Sequence, residues 1–141
     1  MFIKEELYSE LIQSIPIVCV DAIIKKDDQY LLVKRTESPL KDEWWVPGGR
    51  VNIGEKLDEA LKRKINEELS ISIDPPYALK GIYEDFFDSS SFGEHLYHTI
   101  SFVYEFNISQ LDIELDKTSS EWCMSINLPD RLLNKMRNIN G

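Results

Sequence analysis

The sequence predicts an α/β fold, a sandwich of helices around a mixed sheet, and three observations carry that prediction. Apolar, β-branched runs of strand length recur along the chain. Segments of helical spacing stand before, between and after them. No repeat, linker or low-complexity stretch divides the 141 residues, so they form one domain, 1–141, long enough to build its own core without a disulfide or a metal.

Each element has a local reason. Lys4 to Ser14 places Leu7, Leu11 and Ile12 at helical spacing, and Pro16 stops the pattern. Ile17 to Lys25 is an apolar run interrupted by Asp21; Lys26 to Gln29 turns, and Tyr30 to Lys34 returns as the second arm of a hairpin. Ser38 to Asp42 is loop, Trp44-Trp45 reads as core more readily than as a ligand platform, and Arg50 to Asn52 is a short strand. Lys56 to Leu69 is a helix, with Leu57, Leu61, Ile65 and Leu69 every four residues. After the break at Asp74-Pro75-Pro76, Tyr77 to Phe87 and Leu96 to Asn107 are long strands joined by a polar turn, Asp88 to Glu94. Trp122 sits on a last short strand, and Leu128 to Met136 is a terminal helix with Pro129 in its first turn.

Composition narrows the function. A formal net charge of −9 argues against nucleic acid, whose phosphates need a basic face. Three of the five arginines, Arg35, Arg50 and Arg63, nevertheless gather in one stretch, enough to hold a small anion. Cys19 and Cys123 read as buried, reduced thiols of a cytosolic protein. No signal core and no run of membrane-spanning length is present, so the expectation is a soluble, cytoplasmic protein.

The chemistry concentrates between Gly48 and Ile71. Gly49, Glu55, Arg63, Ile65, Glu67, Glu68 and Ile71 keep a fixed spacing in which a glycine loop feeds an acidic helix. Adjacent carboxylates suit Mg²⁺, which bridges phosphate oxygens and neutralises a leaving group. Glu67 and Glu68 are candidate metal ligands, and Gly48 and Gly49 offer backbone groups to metal or phosphate. Counting about 100° per residue from Leu57, the apolar stripe covers roughly 0° to 120°, and Glu68 falls inside it at about 20°. Lys64, at about 340°, and Glu67, at about 280°, stand at or beyond its edge. A carboxylate in that arc needs compensation, either from Lys64 one turn away or from a metal. His95 and His98 fall on opposite faces of a strand and do not form a metal pair; His98 reads as a hydrogen-bonded core residue. Asp21 is equally open to a structural and a ligand-orienting reading, and Asp112, Glu114 and Asp116 read as a solvated face.

This spacing resembles the Nudix box, Gly-x5-Glu-x7-Arg-Glu-U-x-Glu-Glu-x-Gly-U, where U is a bulky aliphatic residue. Lys64 stands in place of a glutamate and Ser70 in place of a glycine. The flanks, among them Val20-Asp21, Lys34-Arg35-Thr36, Trp45 to Val51 and Gly81, are similar to those of the GDP-mannose mannosyl hydrolases within that family. The resemblance implies a Nudix α/β/α sandwich, a homodimer, Mg²⁺, and hydrolysis of a GDP-sugar at its glycosidic C–O bond. It implies that Arg35, Arg50 and Arg63 bind phosphate and stabilise the leaving group. It also makes Gly48 and Glu68 metal ligands, and Asp21 an active-site aspartate. Asp85 and Thr99 stand where the family carries a histidine and a tyrosine, which makes Asp85 a candidate substrate-binding residue and a candidate substitute base. Asp116-Lys117 stands where it carries a metal-binding glutamine and a histidine base, which makes Asp116 a candidate metal ligand and substitute base. Two further readings stay open, a Nudix hydrolase cutting a phosphoanhydride and a nucleotide-sugar binding protein without activity.

Overall fold

The computed structural model describes residues 2–138. The chain runs α1 (Glu5–Ser14), β1 (Ile17–Lys26), β2 (Gln29–Arg35), β3 (Trp44–Trp45), β4 (Gly48–Arg50), α2 (Leu57–Leu69) and β5 (Ala78–Ser90). It continues through β6 (Gly93–Asn107), β7 (Ser119–Ser125), α3 (Asp130–Lys135) and β8 (Arg137–Asn138). The strands form one mixed sheet in the order β3-β2-β1-β6-β5-β8, with β4 on β1 and β7 on β2. β1 and β6 pair in parallel from Ile17↔Thr99 to Lys25↔Asn107. The other ladders are antiparallel.

Alternation along β1 divides the core. Val20, Ala22 and Ile24 face α2, where Ala60, Leu61, Ile65 and Leu69 are fully buried. On the opposite face Ile23 packs with Leu32, Trp45, Val46, Tyr83, Val103 and Leu132 of α3. β1 meets β2 only beside their turn, at Lys25↔Tyr30 and Lys26↔Gln29. Past that point the strands part. The edge β1 leaves free is taken by β4, with Cys19↔Arg50, Val20↔Gly49 and Asp21↔Gly48. The Ala22 N–H donates to the Pro47 carbonyl at 2.8 Å to complete the splice.

The structure departs from expectation in several places. The short strand expected at Arg50 to Asn52 lies at Gly48–Arg50, because those residues complete the β1 edge. Trp44-Trp45 is strand as well, and only Trp45 is buried; Trp44 pairs with Lys34 at the sheet margin. The seven-residue turn expected at Asp88 to Glu94 is mostly strand. Ser89↔Glu94 and Ser90↔Gly93 stay paired, and Gly93, at φ 111°, supplies the reversal. Ser90 Oγ lies 2.6 Å from His95 Nε2 and accepts the Phe92 N–H, which closes the tip. The terminal helix is shorter than expected, with Pro129 as its N-cap, and the β8 strand that follows was not anticipated. Cys19 and Cys123 are both free but only partly buried. His98 is hydrogen-bonded, but at the sheet margin rather than in the core: Nε2 lies 3.0 Å from Glu84, and its ring stacks on Phe86. Among the described residues no helix is long and apolar enough to cross a membrane.

Candidate active site

The parting of β1 and β2 opens a cavity of about 420 Å³. Asp21 and Cys19 line it from β1, Arg35 from the end of β2, Gly48, Gly49 and Arg50 from β4, and Lys64 and Glu68 from α2. Tyr83, Tyr97, Thr99 and Ser101 form the side toward β5 and β6.

Helix α2 is bound to this wall by its box residues. Lys56 stands at its N-cap position, where its backbone N–H donates to the Glu59 carboxylate at 3.3 Å. The Arg63 guanidinium grips both oxygens of Glu55, at 2.7 and 2.9 Å, and donates to the Arg50 carbonyl at 2.9 Å. Glu55 in turn accepts the Asn52 N–H at 3.0 Å. Glycine loop and helix are thus one braced unit, and Arg63 is its strut. Arg63 does not line the main cavity; it borders a side cleft with Phe2, Arg50, Asn52, Lys64 and Glu67.

Glu68 is 6 % exposed, where the wheel placed it, inside the apolar arc. It accepts the Gly48 N–H at 3.3 Å. Burial pushes its carboxyl up to about 7, against the lowering effect of Lys64, and the charges of Asp116 and Asp21 push the same way as burial. The Lys64 ammonium lies 3.7 Å from Glu68 and 3.3 Å from Glu67, so it stands between the two carboxylates. Its aliphatic stem crosses Gly49 so closely that any β-carbon there would collide with it. Glu67 is half-exposed and also paired with Arg63, and it faces the side cleft. The ion-pair reading of Glu68 is therefore realised in part, at a separation longer than that of the Lys64–Glu67 pair.

Asp116 is brought to the same place. Its N–H donates to the Glu68 carbonyl at 3.1 Å, and its side chain accepts from the N–H and hydroxyl of Thr118. Expected on a solvated face with Asp112 and Glu114, it is half-buried, whereas those two are exposed. Lys117 points outward, and its carbonyl accepts the Thr36 hydroxyl at 2.8 Å.

Asp21 lies on the cavity floor at 6 % exposure. Burial raises its carboxyl to about 6, while hydrogen bonds from Tyr83 and Ser101 and the charge of Arg35 restrain the rise. Tyr83 donates a hydrogen bond to Asp21 Oδ2. Arg35 donates from Nε to the Pro39 carbonyl at 2.8 Å, tying the loop after β2 to the cavity rim. Arg50 stacks over the Tyr8 ring at 5.2 Å.

Asp85, expected to bind substrate, does not reach the cavity lining and requires correction. It is fully buried, and its two oxygens are taken by Arg131 and Lys135 of α3. Burial raises its carboxyl, but those two cations outweigh burial and hold it below the ordinary value. The residues sequence reasoning missed are Tyr83, Ser101, Tyr8 and Tyr97. They reach the cavity through strand register and the fold-back of α1, and no motif marks them.

The oxygen-only donors around Glu68 fit a hard divalent cation: a buried carboxylate with a second carboxylate, Asp116, beside it and Asp21 acting on it. Among the described residues no three such side chains already converge as a chelate.

Comparison with known proteins agrees with the geometry. The NUDIX domain family model matches residues 16–138. The low-salt glycan biosynthesis protein Agl8 of Haloferax volcanii is 31% identical over 84% of this chain and 76% of its own length. An ADP-ribose pyrophosphatase of Methanocaldococcus jannaschii is 36% identical over 81% of this chain and 65% of its own. Among solved structures, a MutT NUDIX hydrolase from Burkholderia pseudomallei superposes with a TM-score of 0.70 at 26% identity, over 83% of this chain and 89% of that one. With a family model matching residues 16–138 and relatives more than 30% identical over most of its length, the chain belongs to the Nudix family of hydrolases.

Proposed function

We propose that this chain is a Mg²⁺-dependent hydrolase of nucleoside diphosphate sugars, with a GDP-hexose such as GDP-mannose as substrate, cleaving the glycosidic C–O bond to give GDP and free sugar. The observation that carries the reading is the Lys64 ammonium, seated between Glu67 and Glu68 where the box has a glutamate. Attack at phosphorus calls on several carboxylates to activate water and hold metals, and here that set is interrupted. Attack at a sugar carbon passes through an oxocarbenium-like transition state and asks mainly for a well-stabilised leaving group.

Mg²⁺, when bound, neutralises the departing diphosphate; Glu68 and Asp116 are the side chains to hold it, with Gly48 supplying backbone beside them. Arg35 and Arg50 face the cavity to meet phosphate oxygens, and Arg63 acts through the backbone of Arg50. Tyr8, Tyr97 and the exposed Phe2 give aromatic surface for a base. Asp21, fixed by Tyr83 and Ser101, presents a carboxylate to a sugar hydroxyl. Asp116 is the candidate base, since Asp85 is fully occupied by α3. The relative named for glycan biosynthesis supports a substrate drawn from activated sugars. The resemblance also carries a homodimer, for which Val18, Phe86 and Leu96 expose apolar sheet surface; sedimentation equilibrium would test it.

A second reading rests on the relative named an ADP-ribose pyrophosphatase, which favours cleavage of the phosphoanhydride. Hydrolysis of GDP-mannose in ¹⁸O-water separates the two. Label in the sugar is the expected result, and label in the phosphate products establishes the second reading.

A further inference from the structure

Helix α2 carries three consecutive cations, Lys62, Arg63 and Lys64, and each has a different fate. Lys62 pairs with Asp74 at 3.0 Å on an exposed face. Arg63 is spent on Glu55, Glu67 and the Arg50 carbonyl, outside the main cavity. Lys64 lines the main cavity and reaches the side cleft as well. Its side chain is only 17 % exposed and lies where Gly49 leaves room: a β-carbon on that glycine would collide with Lys64 Cε and stand 3.2 Å from Nζ. An ammonium has three N–H donors. Among the described residues only Glu67 takes one, at 3.3 Å, while Glu68, at 3.7 Å, stands beyond hydrogen-bonding distance.

We propose that Lys64 is a substrate-binding cation of this site: its ammonium donates to the diphosphate of the nucleotide and does there what a second metal ion would do. The inference rests on the nucleoside diphosphate reading and deepens it by adding a residue that the box spacing does not supply. A nucleoside diphosphate sugar brings a negative charge on each phosphate, and the departing diphosphate gains another as the glycosidic bond breaks. The carboxylates that hold Mg²⁺ offset most of its charge, so the charge gained on cleavage falls to the cations of the wall. Arg35 and Arg50 come from the sheet. Lys64 comes from the helix, beside the Glu68 carboxylate, so the phosphate oxygens within its reach are those next to the metal. A divalent ion on Glu68 repels the ammonium 3.7 Å away and turns it toward the nearest uncompensated anion, the phosphate. The stem lies across Gly49, which confines that turn to the terminal atoms. A compact ammonium on a flexible stem suits so short a reach.

The test is calorimetric binding of GDP and of inorganic pyrophosphate to the parent and to Lys64→Met, in EDTA and at saturating Mg²⁺. Methionine keeps the unbranched stem over Gly49 and removes only the charge and its donors; Lys64→Gln is a second neutral replacement. Lys62→Met removes an equal charge outside the cavity and serves as the control. Both Lys64 variants are expected to bind GDP and pyrophosphate about ten-fold more weakly, with and without Mg²⁺, as fits the loss of a hydrogen bond between charged groups. Lys62→Met should bind as the parent does. If the Lys64 variants bind as tightly as the parent at saturating Mg²⁺, or more tightly, Lys64 is a partner of Glu68 that the metal displaces, and the proposal is overturned. An equal loss in Lys62→Met overturns it too, since net charge alone would then explain the effect. A parent that binds pyrophosphate but not GDP refutes the nucleotide reading, and the Lys64 assignment is then decided by pyrophosphate.

Discussion

Replacing Glu68 by glutamine separates a metal ligand from a structural ion pair. The Glu68 carboxyl rises from its ordinary 4.5 to about 7, chiefly through burial. The folded state therefore holds a proton that the unfolded chain has released, and the metal-free protein loses stability as pH rises through that interval. At about 1.4 kcal/mol per unit, the loss reaches about 3 kcal/mol above neutrality, as an upper bound. Glutamine does not titrate. In EDTA at pH 8, Glu68→Gln is expected to melt above the parent, by up to roughly 6–12 °C for a domain of this size. At pH 5 the difference shrinks, since the parent is then protonated. Adding Mg²⁺ stabilises the parent and not the variant, and Mg²⁺-supported turnover of the variant disappears. Thermal melts at the two pH values, with EDTA or Mg²⁺, together with turnover, decide it. If the variant melts below the parent at pH 8 in EDTA, or turns over normally at saturating Mg²⁺, the Lys64–Glu68 pair is structural and the metal assignment fails.

Other perturbations probe the neighbouring parts. Lys64→Glu removes a fixed cation and adds a carboxylate, so Mn²⁺ titration followed by electron paramagnetic resonance should rise from one bound ion per chain to two; two tight ions in the parent would rule this out. Gly48→Ala drives a β-carbon into the Asp21 carboxylate and the Val20 carbonyl, so the β1–β4 ladder must open. Its turnover should fall on the order of 10²-fold from misplacement of the site. Gly49→Ala, which meets only the flexible Lys64 stem, should lose far less. Arg131→Ala leaves buried Asp85 with Lys135 alone, and chemical denaturation should show a loss of about 1–3 kcal/mol, the cost of hydrogen bonds lost from a buried group; an unchanged midpoint would mean that Lys135 suffices.

What the sequence made legible was what periodicity and box spacing encode. Leu57, Leu61, Ile65 and Leu69 placed the helix and its buried face, and the same wheel put Glu68 inside that face. The hairpin of β1 and β2 followed from a polar turn between two apolar runs. What escaped depends on register. Asp85 sits on the same strand face as Tyr83, two residues on, yet one bonds Asp21 and the other is claimed by α3. No local pattern distinguishes the two fates, because the deciding cations, Arg131 and Lys135, lie 46 and 50 residues away. Asp116 looked solvated because its segment alternates acidic and apolar residues like a surface strand. In the fold it is an irregular segment bonded to the carbonyls of Leu69 and Glu68 at the end of α2. The side chain thus arrives at the site by way of its backbone.

The splice of β4 onto β1 separates what is fixed in this molecule from what can vary. Through Gly48 and the Arg63 strut, the acid-bearing helix is keyed to the central strand by backbone geometry, which no side-chain substitution elsewhere can easily retune. The facing rim, from Pro39 and Leu40 to the β5–β6 tip, is joined to that machinery mainly by Arg35 and by side-chain packing. New substrates can therefore be accommodated by rewriting the rim while the hydrolytic apparatus stays in place. Directed evolution for a different attached group should gather its substitutions at residues 36–43 and 86–97 and leave the β1–β4–α2 frame untouched.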